Sequence, residues 1–252
     1  MTDADTLLLR RLLDLARQAD TREMYTFSNF LSLPEQSLFA SASRDYAFIP
    51  HHTYGGVPGA ERVIAVFGSE ERFGYPPDYP VRILEVLPES ERFAEMLTHR
   101  DYLGAVLSLG IDRGLVGDIV IRGTRAWICV LDTAAEFLAE NLTSVRHTAV
   151  RASVAAGDVP AAAPVFEDLR LNVPSERLDA VVAAFTNISR SKADALFAAE
   201  RVFVNGRVTE SGSKPLKPGD ILTVRGFGKA VYEGVDGTSR KGRLYVLLRK
   251  YS

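Results

Sequence analysis

Between residues 81 and 154, stretches whose hydrophobicity alternates with a period of two are interleaved with stretches of helical spacing. The order is strand, helix, strand, strand, helix, strand, with a Gly123-Thr124 turn between the two central strands. Thr98 is the expected cap of the first helix, and Asp132 or Thr133 that of the second. The predicted elements are Val81–Leu87, Thr98–Leu109, Asp118–Arg122, Arg125–Leu131, Asp132–Leu142 and Val145–Val154. Few folds accommodate this order, so it constrains the chain strongly.

This order is the split βαβ arrangement of ferredoxin-like and RNA-recognition folds. The predicted fold class is therefore α+β, with a helical or mixed N-terminal region before this central βαββαβ domain and a smaller domain after it. The N-terminal region is expected to hold an amphipathic helix over residues 5–18, a mixed segment at Thr26–Ala42 broken at Pro34, and a strand at Arg62–Phe67. Residues 74–80 carry three prolines and predict an extended connector.

The C-terminal region is predicted to fold separately, because residues 155–164 are small, contain proline and are nearly uncharged, as in a linker. Beyond them, two helices, a hairpin, a turn and two strands are expected. Asn205-Gly206 is a strong hairpin signal, because a type I′ turn needs positive φ at both central residues. These elements are Ser175–Phe185, Ser189–Ala199, Val202–Val208, Pro218–Asp220, Ile221–Arg225 and Leu244–Leu248. The predicted boundaries are 1–73, 74–155, 156–168 for the linker and 169–252.

Charge is distributed unevenly between the two parts of the chain. Residues 170–252 hold 15 Lys and Arg against 8 Asp and Glu, whereas residues 1–169 hold 15 against 24. The two balances are +7 and −9, and the whole chain is near neutral at −2. A basic segment on an acidic body is typical of a module that binds a polyanion.

Composition excludes several classes of protein. Cys129 is the single cysteine, so an internal disulfide and a cysteine-based zinc site are excluded. His51-His52 and the remote His147 lack the spacing of metal ligands, and neither a metal nor a cofactor is expected. No apolar run approaches the roughly 18 residues that cross a bilayer, and the N-terminus lacks the features of a secretory signal. A cytoplasmic protein without membrane insertion is therefore expected.

Four motifs in the C-terminal region resemble the domain first recognised in the small-subunit ribosomal protein S4. They are Glu176-Arg-Leu-Asp179, Ser189-Arg-Ser-Lys-Ala193, Val202-Phe-Val-Asn-Gly206 and Lys214-Pro-Leu-Lys-Pro-Gly-Asp220, in that order. The resemblance covers about 50 residues and implies RNA binding. The same module occurs in pseudouridine synthases and tyrosyl-tRNA synthetases.

The residues themselves favour the same ligand. Ser189 stands at the expected cap of a helix whose first turn carries Arg190 and Lys192, so cations and outward-pointing amides converge on one anion site. Because cations oppose the positive end of a helix dipole, an RNA phosphate is the expected counter-charge. The candidate RNA-binding residues are Arg177, Ser189, Arg190, Ser191, Lys192, Asn205, Gly206, Arg207, Lys214 and Lys217. No paired aromatics for base stacking are evident, so recognition of RNA shape is expected.

Most of the chain resembles the YlmH-type RNA-binding family. The resembling stretches are Phe30–Glu35, Gly56–Arg62, His99–Arg113 and Gly117–Ile119, followed by the S4-type motifs. The resemblance implies an RNA-binding, ribosome-linked role without enzymatic activity, in a family often encoded beside division genes. In the central domain, Trp127 is the single aromatic residue of the strand that carries stacking rings in RNA-recognition motifs. We therefore expect Trp127 in the core.

The leading hypothesis is a monomeric, non-enzymatic binder of structured RNA, either ribosomal or transfer RNA, that contacts a ribosomal subunit in assembly or quality control. DNA is not an expected partner. One alternative is an RNA-modifying enzyme of the pseudouridine synthase type with its site near His99–Asp101. Another is a partner of the division machinery whose basic tail binds an acidic membrane or protein. No catalytic residue is assigned, because Asp101 in the first turn of a helix is explained by the helix dipole.

Overall fold

The computed structural model describes residues 2–162, 166–240 and 242–251. Its contacts divide the chain into two compact units, Met1–Ala163 and Pro164–Ser252. The predicted division near residue 73 and the predicted linker stay predictions, and residues 163–165 of that linker lie outside the described part. Residues 155–162 belong to the first unit, in which the Ala155 amide donates to the carbonyl of Ile83 at 2.8 Å.

The N-terminal region of the first unit is a three-stranded sheet covered by helices. Its elements are α1 (Asp3–Arg22), β1 (Thr26–Leu31), α2 (Leu33–Ser41), β2 (His51–Tyr54), β3 (Val63–Phe67) and α3 (Glu70–Phe73), and the strand order is β1-β3-β2. The amphipathic helix is confirmed and is longer than predicted. The expected break at Pro34 is wrong, because Pro34 lies in the first turn of α2, where a missing amide hydrogen costs nothing.

The central sheet has the predicted split βαβ topology. Its elements are β4 (Val81–Pro88), α4 (His99–Ser108), β5 (Val116–Arg122), β6 (Arg125–Leu131), α5 (Asp132–Asn141), β7 (Ser144–Val145) and β8 (Thr148–Val154), with single 3-10 turns at Glu91–Phe93 and Arg113–Leu115. The strand order is β5-β6-β4-β8-β7 with antiparallel neighbours. Leu131, not Asp132 or Thr133, stands at the cap of α5. The predicted last strand is interrupted where Arg146 adopts a φ of 54°.

The two faces of the central sheet are both covered. Helices α4 and α5 pack on one face through a core that includes Leu84, Ile128 and Leu138. The N-terminal region packs on the other face. In that second interface, residues of the N-terminal region contact the sheet face that points away from α4 and α5. The N-terminal residues are Phe30, Ile64 and Val66, and those of the sheet are Val81, Val120, Cys129 and Leu131. Ile83 and Trp127 are partly buried against the same cluster. Trp127 is half-buried there, against an apolar cluster.

The C-terminal unit is a six-stranded sheet with two helices. Its elements are β9 (Phe166–Val173), α6 (Leu178–Thr186), α7 (Arg190–Ala198), β10 (Val202–Val204), β11 (Arg207–Val208), β12 (Ile221–Val224), β13 (Gly228–Thr238) and β14 (Leu244–Tyr251), and the strand order is β11-β10-β12-β13-β14-β9. Strands β9 and β13 were not predicted. Helices α6 and α7 cover one face of the sheet, with Val181, Phe197, Leu222, Tyr232 and Val246 in the core.

The type I′ hairpin is confirmed, since Asn205 and Gly206 have φ values of 51° and 75° and Val204 pairs with Arg207. The predicted start of the first C-terminal helix at Ser175 is wrong. Arg177 forms an isolated β-bridge with Pro215, which holds its backbone extended, and the helix begins at Leu178.

Candidate RNA-binding surface

A buried carboxylate organises the start of both C-terminal helices. Asp179, which is 5% exposed, accepts hydrogen bonds from Arg177 at 2.9 and 3.2 Å and from Arg190 at 2.7 and 3.3 Å. The amide of Ala180 donates to the same carboxylate at 2.7 Å. Arg177 belongs to the segment before α6 and Arg190 to the first turn of α7, so Asp179 fixes two guanidinium groups from different elements. About half of each arginine side chain stays exposed.

This geometry corrects the expected electrostatics of Arg190. Its counter-charge in the protein is Asp179, so an RNA phosphate is not required to balance it. Two guanidinium groups share one carboxylate, however, and the three side chains together carry one net positive charge. The arrangement therefore holds cationic donors at the protein surface in defined positions, as recognition of phosphate requires.

The first turn of α7 is exposed. Ser189 occupies the cap position, but its hydroxyl lies 3.2 Å from that of Ser191 and makes no side-chain cap hydrogen bond. Lys192 is exposed in the same turn, whereas Ala193 after it is buried. The first amides of the helix are thus not capped by Ser189, and two hydroxyls and a lysine surround them.

A loop brings Lys214 to the same place. The amide of Leu178 donates to the carbonyl of Lys214 at 2.9 Å, and the amide of Asp179 donates to the carbonyl of Gly212 at 2.9 Å. Gly212 is required at this approach, because a Cβ there would lie 2.7 Å from the Cβ of Asp179. The backbone of Lys214 is therefore fixed beside Arg177.

The remaining candidates form a second group around the hairpin and the turn before β12. The side chain of Asn205 donates to Asp220 and accepts from the amide of Ile221, each at 2.8 Å. Asp220 also accepts from the amide of Lys217 at 2.8 Å. The amide group of Asn205 thus joins the hairpin to the turn, and it leaves Arg207 and Lys217 exposed on neighbouring loops.

The structure therefore collects the ten candidates into two groups. Arg177, Arg190, Lys192, Lys214 and the two serines surround the helix starts, and the other four lie on the hairpin and the following turn. Sequence reasoning missed Asp179 as the residue that positions the arginines. Its place in the Glu176–Asp179 motif was the available signal, but the contact with Arg190 spans eleven positions in the chain.

The acid sensitivity of the C-terminal unit is predicted to depend on Asp179. The hydrogen bond from Arg177, helped by Arg190 and the Ala180 amide against the effect of burial, lowers the pKa of Asp179 from 3.8 to about 2. Because the pKa of Asp179 is lower in the folded state than in the unfolded state, its ionised form stabilises the fold at pH values above the unfolded pKa. That stabilisation is lost as the pH falls towards the pKa of the folded state. Urea unfolding of the wild type and of Asp179→Asn should therefore differ most above about pH 4, with the difference shrinking towards pH 2. Asp194→Asn, at an exposed carboxylate on α7, is the control, and a constant difference across this range would contradict the assignment.

The alternative site near His99–Asp101 has a structural explanation. Asp101 completes a capping box with Thr98, accepting from its amide at 2.8 Å and from its hydroxyl at 2.7 Å, and it also contacts Arg146 at 3.3 Å. Its pKa is lowered, chiefly by the Thr98 hydroxyl. Within the described residues, no group of three or more potential metal ligands is present, and no helix is long and apolar enough to span a membrane.

A split βαβ domain followed by this helix pair and hairpin defines a protein of the RNA-binding, S4-domain class. The S4 domain family matches residues 176–222, and the family described as "Putative RNA-binding domain in YlmH" matches residues 76–156. The chain is 30% identical over 223 residues to "Ribosome-associated protein quality control protein P2" of Bacillus subtilis (strain 168), covering 86% of this chain and 84% of that protein. The chain belongs to the YlmH family.

A solved structure is also similar to part of the chain. It is described as "Cell division protein ylmH from Streptococcus pneumoniae", is 21% identical, and aligns over 62% of this chain and 93% of that chain with a TM-score of 0.49.

Proposed function

We propose that this protein binds structured ribosomal or transfer RNA on or near the ribosome, in the cytoplasm, without catalysing a reaction. The observation that carries the proposal is the pair of arginines fixed by Asp179 beside Lys192 and Lys214 in the S4 domain. The relative described as a ribosome-associated protein quality control protein supports a ribosomal role in assembly or quality control.

The structure of the central domain also favours the C-terminal unit as the main RNA-binding part of the protein. Proteins with RNA-recognition folds bind RNA on the sheet face opposite the helices, where aromatic rings stack on bases. Here the N-terminal region occupies much of that face, and Trp127 is half-buried against an apolar cluster. We therefore assign the main phosphate contacts to the C-terminal unit.

The competing hypotheses have less support. Both oxygens of the Asp101 carboxylate are engaged in the capping box and with Arg146, which disfavours a pseudouridine synthase site there. A membrane-binding basic tail would be an amphipathic helix, whereas the described residues after α7 form strands and turns.

The proposal predicts a steep salt dependence of binding. Affinity of the full chain for a folded ribosomal or transfer RNA should fall with a log–log slope between about −3 and −6, because several phosphates are neutralised. Filter binding at a series of salt concentrations gives the slope, and sedimentation of a lysate through a sucrose gradient in low salt should place the protein with a ribosomal subunit. A slope near zero, or sedimentation only with free proteins, would contradict the proposal.

A further inference from the structure

We propose that the open face of the C-terminal sheet is a second RNA-binding surface, on which unpaired bases stack. The inference rests on the proposed function, because its ligand is also RNA. It concerns other residues, however, and the bases of the RNA in place of its phosphates. Helices α6 and α7 cover the opposite face of this sheet. The open face is a separate surface with its own chemistry.

A single row of side chains crosses all six strands on this face. Phe203 pairs with Val208 on one side and with Thr223 on the other, and Thr223 pairs with Lys229. Beyond Lys229, whose ammonium lies 4.5 Å from the ring centre of Tyr251, the row ends with the pairing of Tyr251 and Phe166. Residues directly opposite each other in antiparallel strands share a face, so the row runs about 24 Å across the sheet.

The row holds three aromatic rings, Phe203, Tyr251 and Phe166, and one cation, Lys229, and the cations Arg225 and Arg249 flank it. The guanidinium of Arg225 lies 4.5 Å from the ring centre of Phe203, and that of Arg249 lies 4.7 Å from the ring centre of Phe166. The ring centres of Phe166 and Tyr251 are 4.9 Å apart, and the planes of the two rings are inclined by 67°. The row itself contains no acidic residue, whereas Arg249 beside it pairs with Glu233 at 2.5 Å and stands opposite Asp168, so we assign the phosphate contacts to Lys229 and Arg225.

This chemistry fits unpaired RNA better than a protein partner. Aromatic side chains on an open sheet are the platforms on which bases stack, and adjacent arginines and lysines neutralise the phosphates between them. The row begins at Phe203 and Val208, in the strands of the hairpin that carries Asn205, Gly206 and Arg207, so one end of it lies next to the second group of candidate residues. An RNA held there by its backbone would meet the row with its adjoining unpaired nucleotides.

The test uses the full chain with Phe203→Leu and Tyr251→Leu together, which remove two rings and keep apolar bulk. The probes are a short unstructured oligouridylate carrying one 2-aminopurine and a blunt RNA duplex. The wild type should quench the 2-aminopurine fluorescence by stacking. The double variant should bind the single strand about ten- to a hundredfold more weakly, as expected for two lost stacking contacts, and should bind the duplex within about twofold of the wild type.

Two further variants separate this inference from the proposed function. Phe93→Leu with Phe137→Leu removes two exposed rings of the first unit, which are 77% and 44% exposed, and should change neither affinity. Arg190→Ala with Lys192→Ala should weaken duplex binding while the fluorescence quench persists. The inference is overturned if the wild type shows no quench, if the ring variant binds the single strand normally, or if its two affinities fall together. If the wild type does not bind the duplex but still quenches the 2-aminopurine fluorescence of the single strand, the proposed function is overturned and this inference is not.

Discussion

Replacing Arg190 and Lys192 with alanine is expected to weaken binding to structured RNA by about ten- to a hundredfold and to flatten the salt slope by about two phosphates. The reason is geometric. Asp179 holds the guanidinium of Arg190 at 2.7 Å, and Lys192 stands in the same exposed turn beside amides that Ser189 does not cap. With both cations removed, Arg177 and Lys214 are the candidate cations that remain at the helix starts. Filter binding at a series of salt concentrations measures the loss of affinity and the change in slope.

The same substitution has a cost for stability. Because cations oppose the positive end of a helix dipole, the sequence alone predicts that the Arg190/Lys192 double variant is as stable as the wild type or slightly more stable. The structure changes this expectation, because Arg190 is a partner of a buried carboxylate, and its loss should lower the free energy of unfolding by about 1–3 kcal/mol. Lys192→Ala alone should leave stability unchanged.

The matched control is Arg10→Ala with Arg22→Ala, which removes two charges from α1 and should bind RNA like the wild type. Wild-type binding by a folded Arg190/Lys192 variant would show that this helix start is not the RNA site.

Asp118→Ala is expected to lower the free energy of unfolding of the first unit by about 2–5 kcal/mol, because two amides lose a charged acceptor. The Asp118 carboxylate accepts from the amides of Glu61 at 2.5 Å and Arg62 at 3.1 Å. The Arg62 side chain in turn donates to the carbonyls of Phe30 at 2.9 Å and Val116 at 3.0 Å. Stretches of the family resemblance that lie far apart in sequence therefore meet at this point and hold the N-terminal region on the central sheet.

Urea unfolding followed by the fluorescence of Trp127, the single tryptophan, measures this loss. Asp118→Asn retains one acceptor and should lose less than Asp118→Ala. Asp158→Ala removes an exposed carboxylate from the same unit and should be neutral. Equal stability of Asp118→Ala and the wild type would show that the contact does not hold the two parts together.

Signals from residues close together in the sequence predicted much of the fold. Two strands of the C-terminal unit, β9 and β13, were not predicted from such signals. The Asn205-Gly206 turn was predictable because two adjacent residues determine its geometry. Strand β9 was missed although its inward Leu169, Leu171 and Val173 alternate with charged or polar residues, because it begins within the predicted linker and its partner β14 lies more than 70 positions later. Strand β13 contains three glycines, which are typical of loops.

The candidate site shows the same limit. The cations of α7 were predicted from their own turn, whereas their connection to Asp179 needed the packing of two helices. The pairing of aromatic residues in the C-terminal domain was not evident from the sequence for the same reason. Phe203, Tyr251 and Phe166 are far apart in sequence, and only the registers of the sheet place them in one row.

The burial of Cys129 between the central sheet and the N-terminal region gives the protein a built-in reporter. This thiol is the single one in the chain, and burial raises its pKa to about 12. A reagent that needs the thiolate can therefore modify Cys129 only when the N-terminal region lifts from the sheet. The rate of alkylation then measures how often that interface opens, with or without added RNA, and no introduced label is needed.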